Sequence, residues 1–225
     1  MTGRSRDTNS ALLALNGDLP GAPFLSSLAA LHSTIVAADG AALGLRSRNI
    51  LPDVIIGDLD SLGDAADDFA RAGSVVIRME SQEENDLEKG LRWLIGGGFG
   101  SVTIVGAAGG MIDHTLNNFS VLAKYAREIK IALRDPLWHM HIVAGSMAMA
   151  TSPGDRISLI PLPSALVTTS GLAWALRSER LEIGVREGAS NRALEEMVSI
   201  DVADGVIALI HYPNPAIRDA GPSPG

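Results

Sequence analysis

Short apolar runs alternate with longer amphipathic segments up to about residue 144. The runs are nearly continuous in apolar residues, which is typical of strands buried on both faces of a sheet; they are 11–16, 34–38, 54–57, 75–79, 101–105 and 130–134. The segments between them predict helices over 25–31, 65–71, 87–95 and 114–127. This alternation predicts an α/β fold in which helices cover a parallel sheet, with the chemistry in loops at the carboxyl ends of the strands.

The pattern changes after residue 150. Short strand-like pieces separated by Pro, Gly, Ser and Asn have the spacing of an antiparallel β-sandwich; they are 156–161, 165–170, 180–184, 197–202 and 206–211. Gly145, Ser152, Pro153 and Gly154 concentrate residues that break regular structure. We therefore expect an α/β domain over 1–148 and a smaller β-sandwich domain over 149–225, with a frayed tail from Pro213.

Composition and charge narrow the classes of function. The chain has 225 residues, with 18 Lys and Arg against 26 Asp and Glu, and a net charge of −8. An acidic chain of this kind does not fit a nucleic-acid binder that neutralises phosphates. Cys is absent, and the apolar run 11–15 is too short for a signal peptide or a membrane span. We therefore expect a cytoplasmic protein with neither a nucleic-acid nor a membrane partner.

The buried strand 54–57 ends in a run of acidic residues. Asp58 and Asp60 are alternate residues, so an extended chain would present both carboxylates on one face. Two like charges held close together repel each other unless a cation lies between them, and Mg²⁺ prefers such oxygen ligands. A solvated turn after the strand is the alternative interpretation.

A second acidic cluster precedes the predicted helix 87–95. Glu83 and Glu84 are explained by the preference of a helix start for negative charge. Asn85 is a plausible N-cap, which leaves the Asp86 carboxylate free to point into a cleft as a third metal ligand. Asp39, directly after the strand 34–38, adds another carboxylate to the same expected rim.

A glycine-rich turn follows the strand 101–105. Gly109 and Gly110 would let a phosphate approach the backbone, and the helix that follows would offer unpaired N–H groups. Asp113 could be only an N-cap, and His114 is better explained as a packing residue. The turn is neither a Walker A sequence nor a dinucleotide fingerprint. Together the loops carry Asp and Gly rather than Lys or Arg, so binding a polyphosphate here requires bridging metal, and the pattern indicates Mg²⁺–nucleotide chemistry.

Over nearly its whole length the chain resembles the thiamine pyrophosphokinase family. The most specific strings are Pro-Asp followed by Gly-Asp-x-Asp-Ser at 52–61 and Asp-His-Thr-Leu-Asn-Asn at 113–118. Weaker matches are Asn-Gly at 16–17, Ala-Asp-Gly at 38–40, Asn-Asp at 85–86, Gly-Gly at 109–110, Ser-Gly-Leu-Ala-Trp at 170–174 and Ser-Asn at 190–191. The resemblance implies transfer of pyrophosphate from ATP to the hydroxyl of thiamine, giving thiamine diphosphate and AMP.

It also implies a homodimer whose active site lies between the α/β domain of one subunit and the β-sandwich of the other. By the same resemblance the Mg²⁺ ligands and catalytic residues are Asp58, Asp60 and Asp86. The nucleotide contacts are Asp39, Ser61, Gly109, Gly110 and Asp113, and the thiamine contacts are Gln82, Trp174, Ser190 and Asn191. Trp174 is the candidate to stack on the thiamine ring, with core packing as its alternative.

Some features depart from the family pattern and leave other functions open. Met111 stands where family members often carry an Arg that meets phosphate, so Lys or Arg from elsewhere, or the metals, would supply that charge. One alternative is a pyrophosphokinase for another heteroaromatic alcohol, such as a hydroxymethyl pterin. Another is a non-catalytic regulator that binds nucleotide or thiamine. Turnover of the purified protein separates these functions.

Overall fold

The computed structural model describes residues 7–81 and 83–213. They divide into two compact units, residues 1–136 and 137–225 by chain position. This division falls earlier in the chain than the expected one between 148 and 149. The expected boundary relied on the breakers around Gly145, but residues 144–145 form only a short bend between strands 139–143 and 146–150 of the second unit.

In the first unit, strands and helices alternate as expected. The elements are β1 (Asp7–Ala14), α1 (Ala22–Ala29), β2 (His32–Ala38), α2 (Ala41–Arg46), β3 (Val54–Gly57), α3 (Ala65–Ala72), β4 (Val75–Arg78), α4 (Asp86–Gly96), β5 (Ser101–Val105), α5 (Ile112–Tyr125) and β6 (Lys130–Arg134). Neighbouring strands are parallel throughout, in the order β6-β5-β1-β2-β3-β4. The α/β expectation is confirmed, and α2 is an additional helix.

The core of this unit explains why its strands read as continuous apolar runs. Leu12 in β1, Ala37 in β2 and Ile55 in β3 are fully buried in one cluster with Leu25 of α1 and Phe69 of α3. Because helices cover the sheet, the side chains on both faces of a strand are buried, and successive residues are therefore apolar. Each fully buried Leu, Ile or Phe side chain contributes roughly 1.5–3 kcal/mol of transfer free energy.

The second unit is antiparallel and has two long strands. Its elements are β7 (His139–Val143), β8 (Ser146–Ala150), β9 (Arg156–Ser170), β10 (Glu179–Glu182), β11 (Gly188–Arg192) and β12 (Met197–Tyr212). The first half of β9 pairs with β11 and the second half with β10. The first half of β12 pairs with β8 and the second half with β7. Strands β9 and β12 also pair with each other along most of their length, so the six strands are connected through this central pair.

Both halves of these strands contribute to one core. Ile157 and Val167 lie on opposite halves of β9, and Val198 and Leu209 lie on opposite halves of β12, yet all four belong to the same buried cluster. The pairing register shifts near the middle of β12, between Val202 and Ile207. The two halves of β9 and β12, with the strands paired to them, therefore enclose a common core, which confirms the expected antiparallel β-sandwich. Within the described ranges, no helix is both long and apolar enough to span a membrane.

Candidate active site

A cleft of about 530 Å³ lies in the first unit, at the carboxyl ends of the parallel strands. Its walls are the loops that follow β1 to β5 together with the first turns of α4 and α5. The lining residues are Leu15, Asn16, Gly17, Asp39, Asp58, Ser61, Ser81, Glu84, Asn85, Asp86, Leu87, Lys89, Gly106, Ala107, Gly109, Gly110, Met111, His114, Thr115 and Asn118. The expected convergence of these loops on one rim is therefore found in the fold.

The order of the strands in the sheet determines where the cleft lies. The chain proceeds from β1 to β2 on one side and later returns to β5 on the other side of β1. Loops that leave neighbouring strands in opposite directions open a crevice at this point of an α/β sheet. Backbone bonds hold the two loops together, because Gly17 N donates to Gly106 O at 3.0 Å and Asp18 N donates to Ala108 O at 2.9 Å. A Cβ at Gly17 would lie 2.4 Å from each carbonyl oxygen, so this approach requires glycine.

Asp39 is a buried carboxylate at the end of β2. Its residue is 6% exposed, and its Oδ1 atom has no hydrogen-bond partner among the described residues. Its φ of 43° turns the chain out of the strand, a conformation that Asp tolerates better than most residues. The close packing depends on Gly57, where a Cβ would lie 2.9 Å from the Asp39 Cβ. A buried carboxylate oxygen without a donor is costly unless a cation or ligand meets it.

Asp58 and Asp60 do not point the same way. Leu59 between them has a φ of 68°, which breaks the alternation of an extended chain, and Asp60 N donates to Asp58 Oδ1 at 3.2 Å. Asp58 and Ser61 line the cleft, whereas Asp60 is not among the lining residues. The Asp60 side chain is 79% exposed and lies 3.9 Å from the Arg78 guanidinium. The expectation that an extended chain presents both carboxylates together is therefore wrong.

Asp86 reaches the cleft from the first turn of α4. The expected cap is confirmed, because Asn85 Oδ1 accepts from Glu88 N at 2.9 Å. Burial raises the pKa of the Asp86 carboxyl above its ordinary value; nearby Lys89 opposes this shift, and the charges of Asp39 and Asp58 add to it. The three carboxylates therefore repel one another across the cleft.

Two amides fix the loops around these carboxylates. Asn85 Nδ2 donates to Asn118 Oδ1 at 3.1 Å, and Asn118 Nδ2 donates to the carbonyl of Ala107 at 2.9 Å. This chain ties the start of α4 to α5 and to the turn after β5. Asn118 belongs to the string that carried the family resemblance, but its spacing alone did not assign it this contact.

The glycine-rich turn forms the opposite wall. Gly109 and Gly110 line the cleft, both with positive φ, and α5 begins beyond them at Ile112 without a side-chain N-cap. The backbone N–H groups of such a start are available to an anion. Asp113 is not among the lining residues; its carboxylate accepts from the backbone N–H of His114 at 2.9 Å. His114, expected to be a packing residue, is exposed and lines the cleft.

The residues expected near thiamine fall in the second unit, except for Gln82, which lies outside the described residues. Trp174 is 64% exposed in the loop between β9 and β10, which does not support its alternative role in core packing. Ser190 is exposed on β11. Asn191 is 5% exposed and binds the Trp174 backbone in both directions, accepting from its N–H at 3.1 Å and donating to its carbonyl at 2.8 Å.

The acidic residues of the cleft can be compared with the ligands that a divalent cation requires. Among residues 7–81 and 83–213, no three acidic, His or Cys groups are close enough together to form a ready metal cluster. Asp39 nevertheless has a carboxylate oxygen without a donor, and Asp86 has a pKa raised partly by its acidic neighbours. Both observations show an unbalanced negative charge in the cleft, which fits a hard cation with carboxylate, water and phosphate ligands.

The fold and the cleft define an α/β protein that binds a small polar ligand at the carboxyl edge of its sheet. Two family models match the chain: "Thiamin pyrophosphokinase, catalytic domain" over residues 25–133 and "Thiamin pyrophosphokinase, vitamin B1 binding domain" over residues 147–207. The first covers most of the unit that holds the cleft. The second lies within the β-sandwich unit.

Relatives agree with these matches. Thiamine pyrophosphokinase 1 of Arabidopsis thaliana is 31% identical over 231 residues, covering 88% of this chain and 84% of the relative. Thiamine pyrophosphokinase of Bacillus subtilis is 24% identical over 195 residues, covering 84% and 91%. The crystal structure of the B. subtilis protein superposes with a TM-score of 0.78 at 21% identity, covering 91% of this chain and 99% of that one. The chain belongs to the thiamine pyrophosphokinase family, and it is an enzyme with thiamine pyrophosphokinase activity.

Proposed function

We propose that the cleft binds ATP together with Mg²⁺ and that Asp39, Asp58 and Asp86 hold the cation. The observation that carries this proposal is the buried Asp39 carboxylate: its Oδ1 atom has no donor among the described residues, and Asp39 lines the same cleft as Asp58 and Asp86. A bound Mg²⁺ would neutralise phosphate charge and orient the triphosphate. The family resemblance predicts Asp60 as a further ligand, but its 79% exposed side chain does not line the cleft, so the ligands we propose are Asp39, Asp58 and Asp86 alone.

Backbone and side-chain groups of the cleft can bind the phosphates and accept the proton of the thiamine hydroxyl. The glycine-rich turn and the start of α5 offer backbone N–H donors to phosphate oxygens. In the reaction the thiamine hydroxyl oxygen forms a bond to the β-phosphorus of ATP. The bond between this phosphorus and the α,β-bridging oxygen breaks, and AMP leaves with that oxygen and the electron pair. The hydroxyl proton passes to a carboxylate of the cleft.

The acceptor site belongs to the second unit. We propose that the exposed Trp174 ring stacks on the cationic thiamine, because an aromatic face attracts a cation and a 64% exposed Trp has a free face. Ser190, exposed on β11, would contact the same ligand. The proposal also includes a homodimer, on the basis of the family resemblance, and a cytoplasmic location, which the lack of Cys supports.

The test is to incubate the purified enzyme with ATP and thiamine, with and without Mg²⁺, and to measure AMP and thiamine diphosphate. We expect equal amounts of both products, formed only with the metal. Asp39→Asn should abolish turnover while the fold persists, because Asn tolerates the left-handed φ of this position. Asp68→Asn is the matched control, since Asp68 is an exposed residue of α3 that does not line the cleft.

Three results would overturn parts of this proposal. Full activity of Asp39→Asn at limiting Mg²⁺ would exclude Asp39 as a cation ligand. AMP release with a hydroxymethyl pterin but not with thiamine would place the protein with a different acceptor. Binding of nucleotide without release of AMP would favour a non-catalytic regulator.

A further inference from the structure

Lys89 is a buried cation in the wall of the acidic cleft. It lies in α4 and is 3% exposed, and among the described lining residues it is the one Lys or Arg. Met111, at the place where the family resemblance suggested a phosphate-binding Arg, is 63% exposed and uncharged. A buried ammonium is costly to desolvate, so its position in a nucleotide cleft requires an explanation.

The contacts of Lys89 leave much of its capacity unused. Its Nζ atom lies 3.4 Å from Asp86 Oδ1, and no other partner for it is found among the described residues. This distance is long for a charge-assisted hydrogen bond, which is usually about 2.7–2.9 Å. An ammonium has three donors, so at least two remain for a ligand in the cleft.

Asp86 cannot serve both Lys89 and a metal ion equally well. A divalent cation at Asp86 neutralises the carboxylate that attracts Lys89, and the two positive charges repel each other. Phosphate oxygens, which enter the cleft with the nucleotide, are then the strongest remaining acceptors for the Lys89 donors. Lys89 thus has one partner in the free enzyme and a different, better one in the complex.

We propose that Lys89 changes partner when substrate binds: it pairs with Asp86 in the free enzyme and donates to a phosphate oxygen of the nucleotide once Asp86 binds the cation. This inference rests on the proposed cation site. It assigns to the α4 wall the positive charge that position 111 does not supply.

The proposal predicts two effects of opposite sign in Lys89→Met. Without nucleotide, the variant should bind a divalent cation more tightly than the wild type, because a competing positive charge is gone. With metal present, it should bind the nucleotide about tenfold or more weakly, the usual effect of losing a hydrogen bond to a charged group. If Lys89 only supported Asp86, its loss would weaken both cation binding and nucleotide binding. If Lys89 only packed in the wall, its loss would change neither affinity.

The experiment uses Mn²⁺ as a spectroscopic replacement for Mg²⁺, with free Mn²⁺ measured by electron paramagnetic resonance. Nucleotide binding is measured by calorimetry with α,β-methylene-ATP, in which the bond to be broken is replaced. Lys124→Met is the matched control, because it removes the same charge from a residue that also pairs with α4 but does not line the cleft. Lys89→Gln provides a second variant, and circular dichroism checks folding.

Tighter Mn²⁺ binding together with weaker nucleotide binding in Lys89→Met, and neither change in Lys124→Met, would support the proposal. Any other combination of signs in a folded variant would overturn it. A wild-type enzyme that binds no Mn²⁺ would overturn the cation site itself, whereas a wild type that binds Mn²⁺ normally beside a variant with the wrong signs would overturn only the role of Lys89.

Discussion

Replacing Asn191 by Ala should loosen the loop that carries Trp174. Asn191 is almost fully buried, and its amide makes three hydrogen bonds to the backbone. Its Oδ1 atom accepts from Trp174 N at 3.1 Å and from Arg192 N at 2.8 Å, and its Nδ2 atom donates to Trp174 O at 2.8 Å. The variant loses all three bonds and leaves their backbone partners without the amide.

The magnitude follows from these contacts. Each net hydrogen bond contributes about 1 kcal/mol, so the free energy of unfolding should fall by about 3 kcal/mol. With a urea m-value of about 2 kcal/mol per M, the midpoint should fall by about 1.5 M. Ser190→Ala is the control, because Ser190 is exposed and its change should stay within about 0.5 kcal/mol.

The same variant tests whether the loop serves thiamine. In Asn191→Ala the KM for thiamine should rise more than the KM for ATP, because the exposed Trp174 ring is no longer held in place. Combined with Trp174→Ala, the Asn191 change should add little further to the thiamine KM. A loss of stability below about 1 kcal/mol would refute the hydrogen-bond reasoning. Additive effects on the thiamine KM would refute the link to Trp174, and an unchanged KM in Trp174→Ala alone would refute thiamine stacking.

Further predictions concern the charges of the first unit. Asp58→Asn should lower kcat by about 100-fold or more, the usual cost of losing one main electrostatic contact, whereas Asp60→Asn should stay within about threefold; AMP release at saturating substrate measures both. Without divalent cation, Asp86→Asn should be more stable than the wild type at neutral pH. The folded-state pKa of the Asp86 carboxyl is raised, so the wild-type fold loses stability as pH rises and this group ionises. Mg²⁺ should reverse the order of the two proteins in thermal unfolding. Glu88→Gln should lower neutral-pH stability by about 1.5 kcal/mol, because the buried Glu88 carboxylate accepts from Lys124, whose own exposure weakens the pair.

The pH dependence of Glu88 has the opposite sign to that of Asp86. The hydrogen bond from Lys124, with one from Tyr125, holds the pKa of the Glu88 carboxyl below its ordinary value against the effect of burial. Its stabilisation is therefore complete above about pH 4.3, the pKa of an unfolded Glu, and is lost as pH falls through the lower folded pKa. Urea unfolding from neutral to acid pH should show a smaller loss in Glu88→Gln than in the wild type. Equal acid losses would contradict this assignment.

Equal losses of activity in Asp58→Asn and Asp60→Asn would contradict the placement of the Leu59 turn, because the exposed Asp60 would then have to reach the cleft. If Asp86→Asn were less stable than the wild type without metal, the net cost of the Asp86 charge, from burial first and from repulsion by Asp39 and Asp58 second, would be refuted.

The pattern of apolar residues was sufficient to predict the strands and most helices of the first unit, because its strands are buried on both faces and separated by helices. The second unit was harder to predict in detail. Pro161 and Pro163 suggested a break between two short strands, yet β9 continues through both. Pro161 faces Ile207 close to the register shift of β12, a place where a sheet tolerates a residue without a backbone donor. Local sequence therefore predicted two strands where the fold has one, because the continuity of β9 depends on pairing with a distant strand.

In the cleft, predictions that depended on sheet topology agreed with the fold, and predictions that depended on local backbone direction did not. Asp39, Asp58 and Asp86 meet because parallel strands end at one edge, which is a property of the whole sheet. The expectation that Asp58 and Asp60 share one face was wrong because Leu59 between them takes a positive φ, which is uncommon outside Gly, Asn and Asp. The sequence did not indicate that Lys89 lines the cleft, because a lysine three residues after an acidic residue in a helix usually forms an exposed ion pair with it. Its burial depends on the loops packed over it, so only the tertiary structure distinguishes it from a surface residue.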